Sequence, residues 1–276
     1  MTLREAYGYG SAYLGGQGLA EGALDAWYLL EYITGKSRSY YYAHGEEELS
    51  ADREKAYREL LQKRGEHIPL QHLTGTQEFM GLSFQVSPNV LIPRQDTEVL
   101  VEEALKTMKP GMRILDVCTG SGCILISLLA HCPGCEGLGV DISFEALAVA
   151  KENARQHQVP ARFARSDMFA GVEERFNCIV SNPPYIASGE IPGLMEEVRD
   201  HEPRLALDGG ADGLDFYRIL AKQSADYLEA GGSLYLEIGY DQGEAVSGLL
   251  KEAGFARVRV IQDLCGKDRV VCGVKE

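Results

Sequence analysis

The chain has 276 residues, with 41 acidic against 27 basic side chains and a formal net charge of −14. That length leaves room for two domains, and the acidity counts against a partner held by phosphate neutralisation, so no direct nucleic-acid partner is expected. Hydrophobic residues at 45% and charged residues at 25% suit a packed core without disulfides or metals, and no apolar stretch approaches the roughly 20 residues that span a bilayer.

The N-terminus reads Met-Thr-Leu-Arg-Glu-Ala-Tyr and has no apolar signal core. Seven cysteines, an odd number, sit largely in apolar segments, which suits reduced thiols and predicts a cytoplasmic location.

From Thr2 to about Gly75 the composition and spacing predict helices only. Leu24, Trp27, Leu30 and Ile33 recur every three residues, Gly35 stands where a glycine ends a helix, and Ser50 is placed to cap a second one. The Tyr40–Tyr42 run reads as packing and surface rather than a stacking platform. Between residues 77 and 93, Phe79, Leu82, Phe84, Val86, Val90 and Ile92 alternate around Gly81 and Pro88-Asn89, as short strands and turns do. A helix is predicted over residues 97–108, ending before Pro110-Gly111.

From Met112 onward strands and helices alternate, predicting a mostly parallel sheet covered by helices. Strands fall at 113–117, 137–140, 161–163, 178–181 and 233–238, and helices at 123–131, 144–157, 213–230 and 243–253. The last two strands, 256–261 and 269–274, are joined too closely for a parallel crossover and should form an antiparallel hairpin.

Three segments carry a nucleoside signal. The strand Ile114–Val117 runs into Cys118-Thr119-Gly120-Ser121-Gly122 and a helix start, which can bring backbone N–H groups against a ligand. A dinucleotide fingerprint would place a third glycine where this chain has Leu125, so a pyrophosphate is disfavoured. Asp141 ends the next strand, where a carboxylate accepts the hydroxyls of a ribose. Ser166-Asp167-Met168-Phe169 follows the third strand at the same edge, where it could read an adenine. Together they point to S-adenosylmethionine ahead of other nucleotides. Asp116 either holds the strand-loop junction or meets that ligand's amino group. Cys132-Pro-Gly-Cys135 has no second Cys/His pair at metal-like spacing and reads as a loop with two incidental thiols, so no metal is expected.

The sharpest signal is Ser181-Asn182-Pro183-Pro184-Tyr185, directly after the fourth strand. Pro183 lacks an N–H, so its carbonyl and the Asn182 side-chain oxygen can act as two fixed acceptors while Tyr185 offers a flat face. Such a clamp suits a planar NH2 group, whose nitrogen is a poor nucleophile and gains from orientation rather than from a base.

Asn-Pro-Pro-Tyr after this core resembles the amino-methyltransferases. Further segments resemble the HemK/PrmC family of release factor glutamine methyltransferases: GTQEFMGLSFQV at 75–86, VLIPRQDTE at 90–98, HEPRLALDGGADG at 201–213 and LEIG at 236–239. The resemblance spans roughly residues 69–274 and implies a class I methyltransferase fold: an α/β Rossmann-like domain whose mostly parallel seven-stranded sheet ends in an antiparallel hairpin. It implies a helical substrate-binding domain at 1–75, a β-hairpin connector at 76–95 and the catalytic domain at 96–276.

The activity implied is methylation of the glutamine side-chain nitrogen in the Gly-Gly-Gln loop of release factors 1 and 2, by a monomer. The alternative is an N6-adenine or N2-guanine nucleic-acid methyltransferase. Carried over by position, Cys118, Thr119, Gly120, Ser121, Gly122, Asp141, Met168 and Asn182 would contact S-adenosylmethionine, with S-adenosylhomocysteine as product. Asn182, Pro183, Pro184 and Tyr185 would hold the glutamine, with Asn182, Pro183 and Tyr185 as the catalytic set. The chain departs from the family at Cys118, usually glycine, and at Met168, often aromatic.

Overall fold

A computed structural model describes residues 1–276. Its contacts divide the chain into two compact units, residues 1–75 with 195–201, and residues 76–194 with 202–276.

The first unit is helical: α1 (Leu3–Gly16), α2 (Gly22–Thr34), α3 (Arg38–Ala43), α4 (Ala51–Gly65) and α5 (Leu70–Thr74). Local chemistry sets the ends. Thr2 and Glu5 form a reciprocal capping box on α1, Ser37 and Ser50 cap α3 and α4, and Gly35 closes α2 at φ 65°. Leu3, Ala6, Gly10 and Leu14 form the buried stripe of α1. Gly10 is required there: a Cβ would stand 2.2 Å from the Tyr57 hydroxyl, which donates to the Ala26 carbonyl at 2.9 Å. Tyr41 packs edge-on against Tyr7 and Trp27, while Tyr42 is exposed. Arg64, buried, binds Asp25 at 2.8 Å and Glu197 at 3.1 Å. The second partner is unexpected from sequence, because it arrives from more than a hundred positions downstream.

The second unit opens with the hairpin β1 (Thr76–Phe79) and β2 (Leu82–Gln85) and with α6 (Gln95–Leu105). The hairpin is packed into this unit: Asn153 accepts from the Gln85 N–H and donates to its carbonyl, and His157 bonds the Ser83 carbonyl. There follow β3 (Arg113–Val117), α7 (Cys123–His131), β4 (Glu136–Asp141), α8 (Phe144–His157), β5 (Ala161–Arg165) and β6 (Phe176–Ser181). After α9 (Glu196–His201), which belongs to the first unit, come α10 (Asp215–Tyr227), β7 (Leu228–Glu237), α11 (Gly243–Glu252), β8 (Ala256–Gln262) and β9 (Asp268–Val274).

The seven strands lie in the order β5-β4-β3-β6-β7-β9-β8, parallel except for β9, which inserts antiparallel between β7 and β8. Neighbouring residues feed opposite faces. Leu115, Val117 and Ile179 join the cluster containing Tyr217, Leu220, Val246 and Leu250 of α10 and α11, whereas Ile114, Cys178 and Val180 join the cluster with Leu100, Ile124 and Leu128 of α6 and α7. The sheet is therefore apolar on both sides, and polar chemistry is pushed to the strand ends.

The helix expected to reach residue 230 stops at Tyr227. Leu228, fully buried, pairs with Phe176 as strand, and Gly231 takes φ 75° just beyond. No helix is long and apolar enough to cross a membrane.

Candidate functional site

The strand order reverses between β4-β3 and β3-β6, and crevices of parallel sheets open at the carboxyl ends of strands at such a switch point. A cavity of about 220 Å³ lies there, lined from all three strand ends: Val117 to Ser121, Val140 to Ser143, and Asn182 with Pro184. Ser166, Asp167 and Met168 complete its wall after β5.

The glycine loop is a short crossing from β3 to α7. Cys118 stands at φ 60°, Gly120 at 54° and Gly122 at 79°. A non-glycine residue in this left-handed region costs about 1–3 kcal/mol, so Cys118 keeps the geometry that glycine usually supplies. Its Sγ lies 4.0 Å from Met168 Sδ, and burial pushes the thiol up, far from reactivity at neutral pH. Gly122 is the N-cap of α7 and does not line the cavity; a Cβ there would meet Ile126 and Ala150. A Cβ on Gly120 would point into open space, which leaves its backbone accessible to a ligand. Leu125, in place of a third glycine, is fully buried against β4, where a Cβ on Gly137 would come within 2.4 Å of its Cδ1. The close approach that glycine gives a dinucleotide helix is here moved to the strand.

Asp141 holds the loop from β4. Its Oδ2 accepts the Gly120 N–H at 2.9 Å and its Oδ1 accepts the Ser143 N–H at 3.0 Å, leaving lone pairs on both oxygens for hydroxyl donors. Asp116 is fully buried; its Oδ2 accepts the Thr119 hydroxyl at 2.6 Å and its Oδ1 has no partner. Burial, reinforced by the charge of Asp141, pushes its carboxyl up to about 7. Asp116 is absent from the cavity lining, so it braces the loop from behind.

The segment Asn182–Tyr185 is held by residues remote in sequence. Ser181 donates to the Val117 carbonyl at 2.6 Å, locking β6 to β3 at the point where the loop departs. Gln242 Nε2 donates to the carbonyls of Tyr185, at 3.0 Å, and Gly213, while its Oε1 accepts the Gly239 N–H. Ile186 and Ser188 donate to the Leu207 and Gly210 carbonyls, and Gly209 donates back to Ile186. A Cβ on Gly209 would stand 2.7 Å from Tyr185 Cα, and one on Gly213, itself at φ 74°, 2.3 Å from the Tyr185 carbonyl oxygen.

Tyr185 is placed differently from expectation. Its ring packs against the core cluster containing Tyr217 and Leu236 and does not line the cavity, nor does buried Pro183. Burial pushes the Tyr185 phenol up to about 12. Asn182 does line the cavity, and its Nδ2 donates to Thr97 Oγ1 at 3.4 Å.

Thr97, Arg94 and Phe216 also line the cavity, although none belongs to the glycine loop, the ribose-binding strand end or the Asn-Pro-Pro-Tyr segment. Arg94 forms an ion pair with buried Glu202. Behind Thr97 lies Glu237, 2% exposed, whose carboxyl burial pushes up to about 7. Arg94 and Thr97 fall in the family-like segment at 90–98 and Glu237 in the one at 236–239, but that they meet at one site depends on segments far apart in the chain.

Residues 5–75 match the family model described as the PrmC N-terminal domain, and residues 94–205 the one described as the methyltransferase small domain. The chain is similar to the release factor glutamine methyltransferase of Geobacter sulfurreducens, at 41% identity over 99% of this chain and 96% of that one. It is 42% identical to that of Caulobacter vibrioides, over 100% of this chain and 97% of that one. Among solved structures, a methyltransferase from Pyrococcus furiosus aligns with a TM-score of 0.54 at 20% identity, covering 71% of this chain and 89% of that one, a likeness of fold alone.

Proposed function

Since the chain belongs to the release factor glutamine methyltransferase family, we propose that it methylates the side-chain nitrogen of the glutamine in the Gly-Gly-Gln loop of release factors 1 and 2, in the cytoplasm, using S-adenosylmethionine. The observation that carries this reading is the sharing of one cavity by Asn182, the glycine loop and Asp141.

The residues present fit that cofactor. Asp141 has free lone pairs at the cavity wall, Gly120 leaves open space beside its backbone, and Met168 supplies an apolar surface. Asp141 would hold the ribose hydroxyls, residues 118–121 the methionine end and Met168 the adenine, with Gly122 acting through the turn it caps. When bound, S-adenosylmethionine supplies an electrophilic methyl group.

The chain's own residues supply orientation. An amide nitrogen has a delocalised lone pair, so two acceptors that hold its N–H protons aim the nitrogen while strengthening as positive charge develops on it. Asn182 Oδ1, on the cavity wall, supplies one such acceptor, and Pro183, buried beside it, fixes the backbone from which Asn182 projects. Pro184 closes the cavity beside them, and Tyr185, packed behind, holds the backbone in place rather than touching the amide. Once methylated, the nitrogen is acidic enough to lose its proton to water, so no strong base is needed.

The test offers methyl-labelled S-adenosylmethionine with unmodified release factor 1 or 2, the same factors with the loop glutamine replaced by alanine, and duplex DNA. Label on the unmodified factors alone is expected. Label on DNA would replace this reading by a nucleic-acid methyltransferase.

A further inference from the structure

We infer that Cys132 and Cys135 form a site of reversible oxidation, a dithiol that a peroxide closes into a disulfide within one turn of the chain. The site is separate from the function proposed above. Cys135 stands just before β4, whose residues run from Glu136 to Asp141 at the cavity, so at about 3.3 Å per residue the pair lies roughly 17 Å from the reacting end.

From sequence alone the two thiols read as incidental, but the turn brings them together. Cys132 ends α7, and the Cys135 N–H donates to its carbonyl at 3.3 Å. Pro133 and Gly134 occupy the middle of the turn, with Gly134 at φ 89°, the conformation that a type II turn requires of its third residue. Such a turn holds its first and fourth Cα atoms within about 7 Å, and a disulfide spans about 4.4–6.8 Å.

The side chains already meet. Their sulfurs are 3.4 Å apart, so closing to the bond length of about 2.05 Å asks for a shift of about 1.4 Å. The backbone on either side is pinned from outside the pair. Gly111 donates to the Gly134 carbonyl at 2.9 Å, Glu136 to the Met112 carbonyl at 3.1 Å, and Cys132 to the Leu128 carbonyl at 3.0 Å. Two reactants held in this way meet as if at high concentration, without the entropy loss of a free encounter.

The two sulfurs have different surroundings. Cys132 is half-buried beside exposed Pro133 and Gly134, whereas Cys135 is 2% exposed, with its Sγ 3.2 Å from the Lys109 carbonyl oxygen. Burial also pushes the Cys135 thiol up to about 11. Cys132 is therefore the sulfur that peroxide reaches first. Its thiolate attacks one peroxide oxygen, the O–O bond breaks, and a sulfenic acid forms as the departing oxygen leaves as water. Cys135 Sγ then attacks Cys132 Sγ, loses its proton, and displaces the hydroxyl as a second water. The two thiols give up two electrons and two protons, and the peroxide takes up both.

Reduced wild type, Cys132→Ser and Cys135→Ser are treated with hydrogen peroxide. Remaining thiols are then alkylated, and the modified positions are mapped by mass spectrometry. Exposed Cys265 reports whether the oxidant has acted. In the wild type, alkylation should be lost at Cys132 and Cys135 together, their peptides should be joined with the loss of two hydrogens, and dithiothreitol should restore both. Cys135→Ser should stop at a sulfenic acid on Cys132 that dimedone traps, while Cys132→Ser should leave Cys135 a free thiol. If either variant fails to fold, the wild-type map decides alone. Both thiols still alkylated after Cys265 has been oxidised, a disulfide from either cysteine to another position, or a sulfinic acid at Cys132 in the wild type overturns the site.

Discussion

The loops at residues 118–122 and 182–185 both leave the carboxyl ends of adjacent parallel strands, yet they are held by different means. The first is fastened by its immediate surroundings: left-handed residues at 118, 120 and 122, the helix they start, and one carboxylate from the neighbouring strand. The second makes few contacts of its own. Its shape is imposed by Gly209, Gly213 and Gln242, which reach it from the far end of the domain. A loop of the first kind fails when one of its own residues changes; a loop of the second kind fails when something distant moves.

Gly209→Ala should have the largest effect. The new Cβ presses on backbone at Tyr185 Cα and the Pro184 carbonyl, which cannot swing aside as a side chain would. Displacing the clamp by a fraction of an ångström should lower kcat by about a hundredfold, while calorimetry shows cofactor affinity within about threefold of wild type. Loss of cofactor binding in the folded variant would show that the two loops are not separately held.

Asp141→Ala should act in the opposite sense. Losing charge-assisted bonds worth about 1.5–3 kcal/mol should weaken cofactor binding by roughly 10- to 100-fold, with kcat at saturating cofactor much less affected. A drop confined to kcat would break the division of labour.

The smallest effect concerns Asp116, whose carboxyl rises from 3.8 to about 7 on folding. The folded chain therefore binds more protons than the unfolded chain between those values, so this group's stabilisation is complete below about 4 and is lost as pH rises through about 7. Asp116→Asn should make the urea midpoint fall less steeply between about pH 5 and about 7.5 than in the wild type. A slope as steep as wild type would mean that Asp116 is ionised when buried.

The same contrast governs what the sequence discloses. Leu115 to Gly122 and Ser181 to Tyr185 are contiguous strings whose chemistry depends on neighbours in the chain, so the glycine loop, Asp141 and the Asn-Pro-Pro-Tyr segment are legible as a site before any fold is known. The alternation of strand and helix is legible for the same reason, since each element's period is local. Thr97 beside Asn182, Glu237 behind Thr97, and Gly209 under Tyr185 depend on which strand lies next to which, and nothing in the spacing of those residues announces it. The turning of the Tyr185 ring into the core is of this kind too: a flat side chain after two prolines can face either way, and the cluster it packs against is assembled from distant elements, with Tyr217 from α10 and Leu236 from β7 among its members.

The helical unit takes α9 from beyond β6, with Arg64 bound to Glu197 and His67 beside Glu196. During synthesis, the first 75 residues leave the ribosome well before their last helix exists. At about 5–20 residues per second, the wait from residue 75 to residue 201 is on the order of ten seconds. The N-terminal helices therefore spend that interval with one face incomplete, and a chain cut after residue 75 would stay so permanently. A fusion or truncation that treats residues 1–75 as a free-standing module leaves out a piece of it.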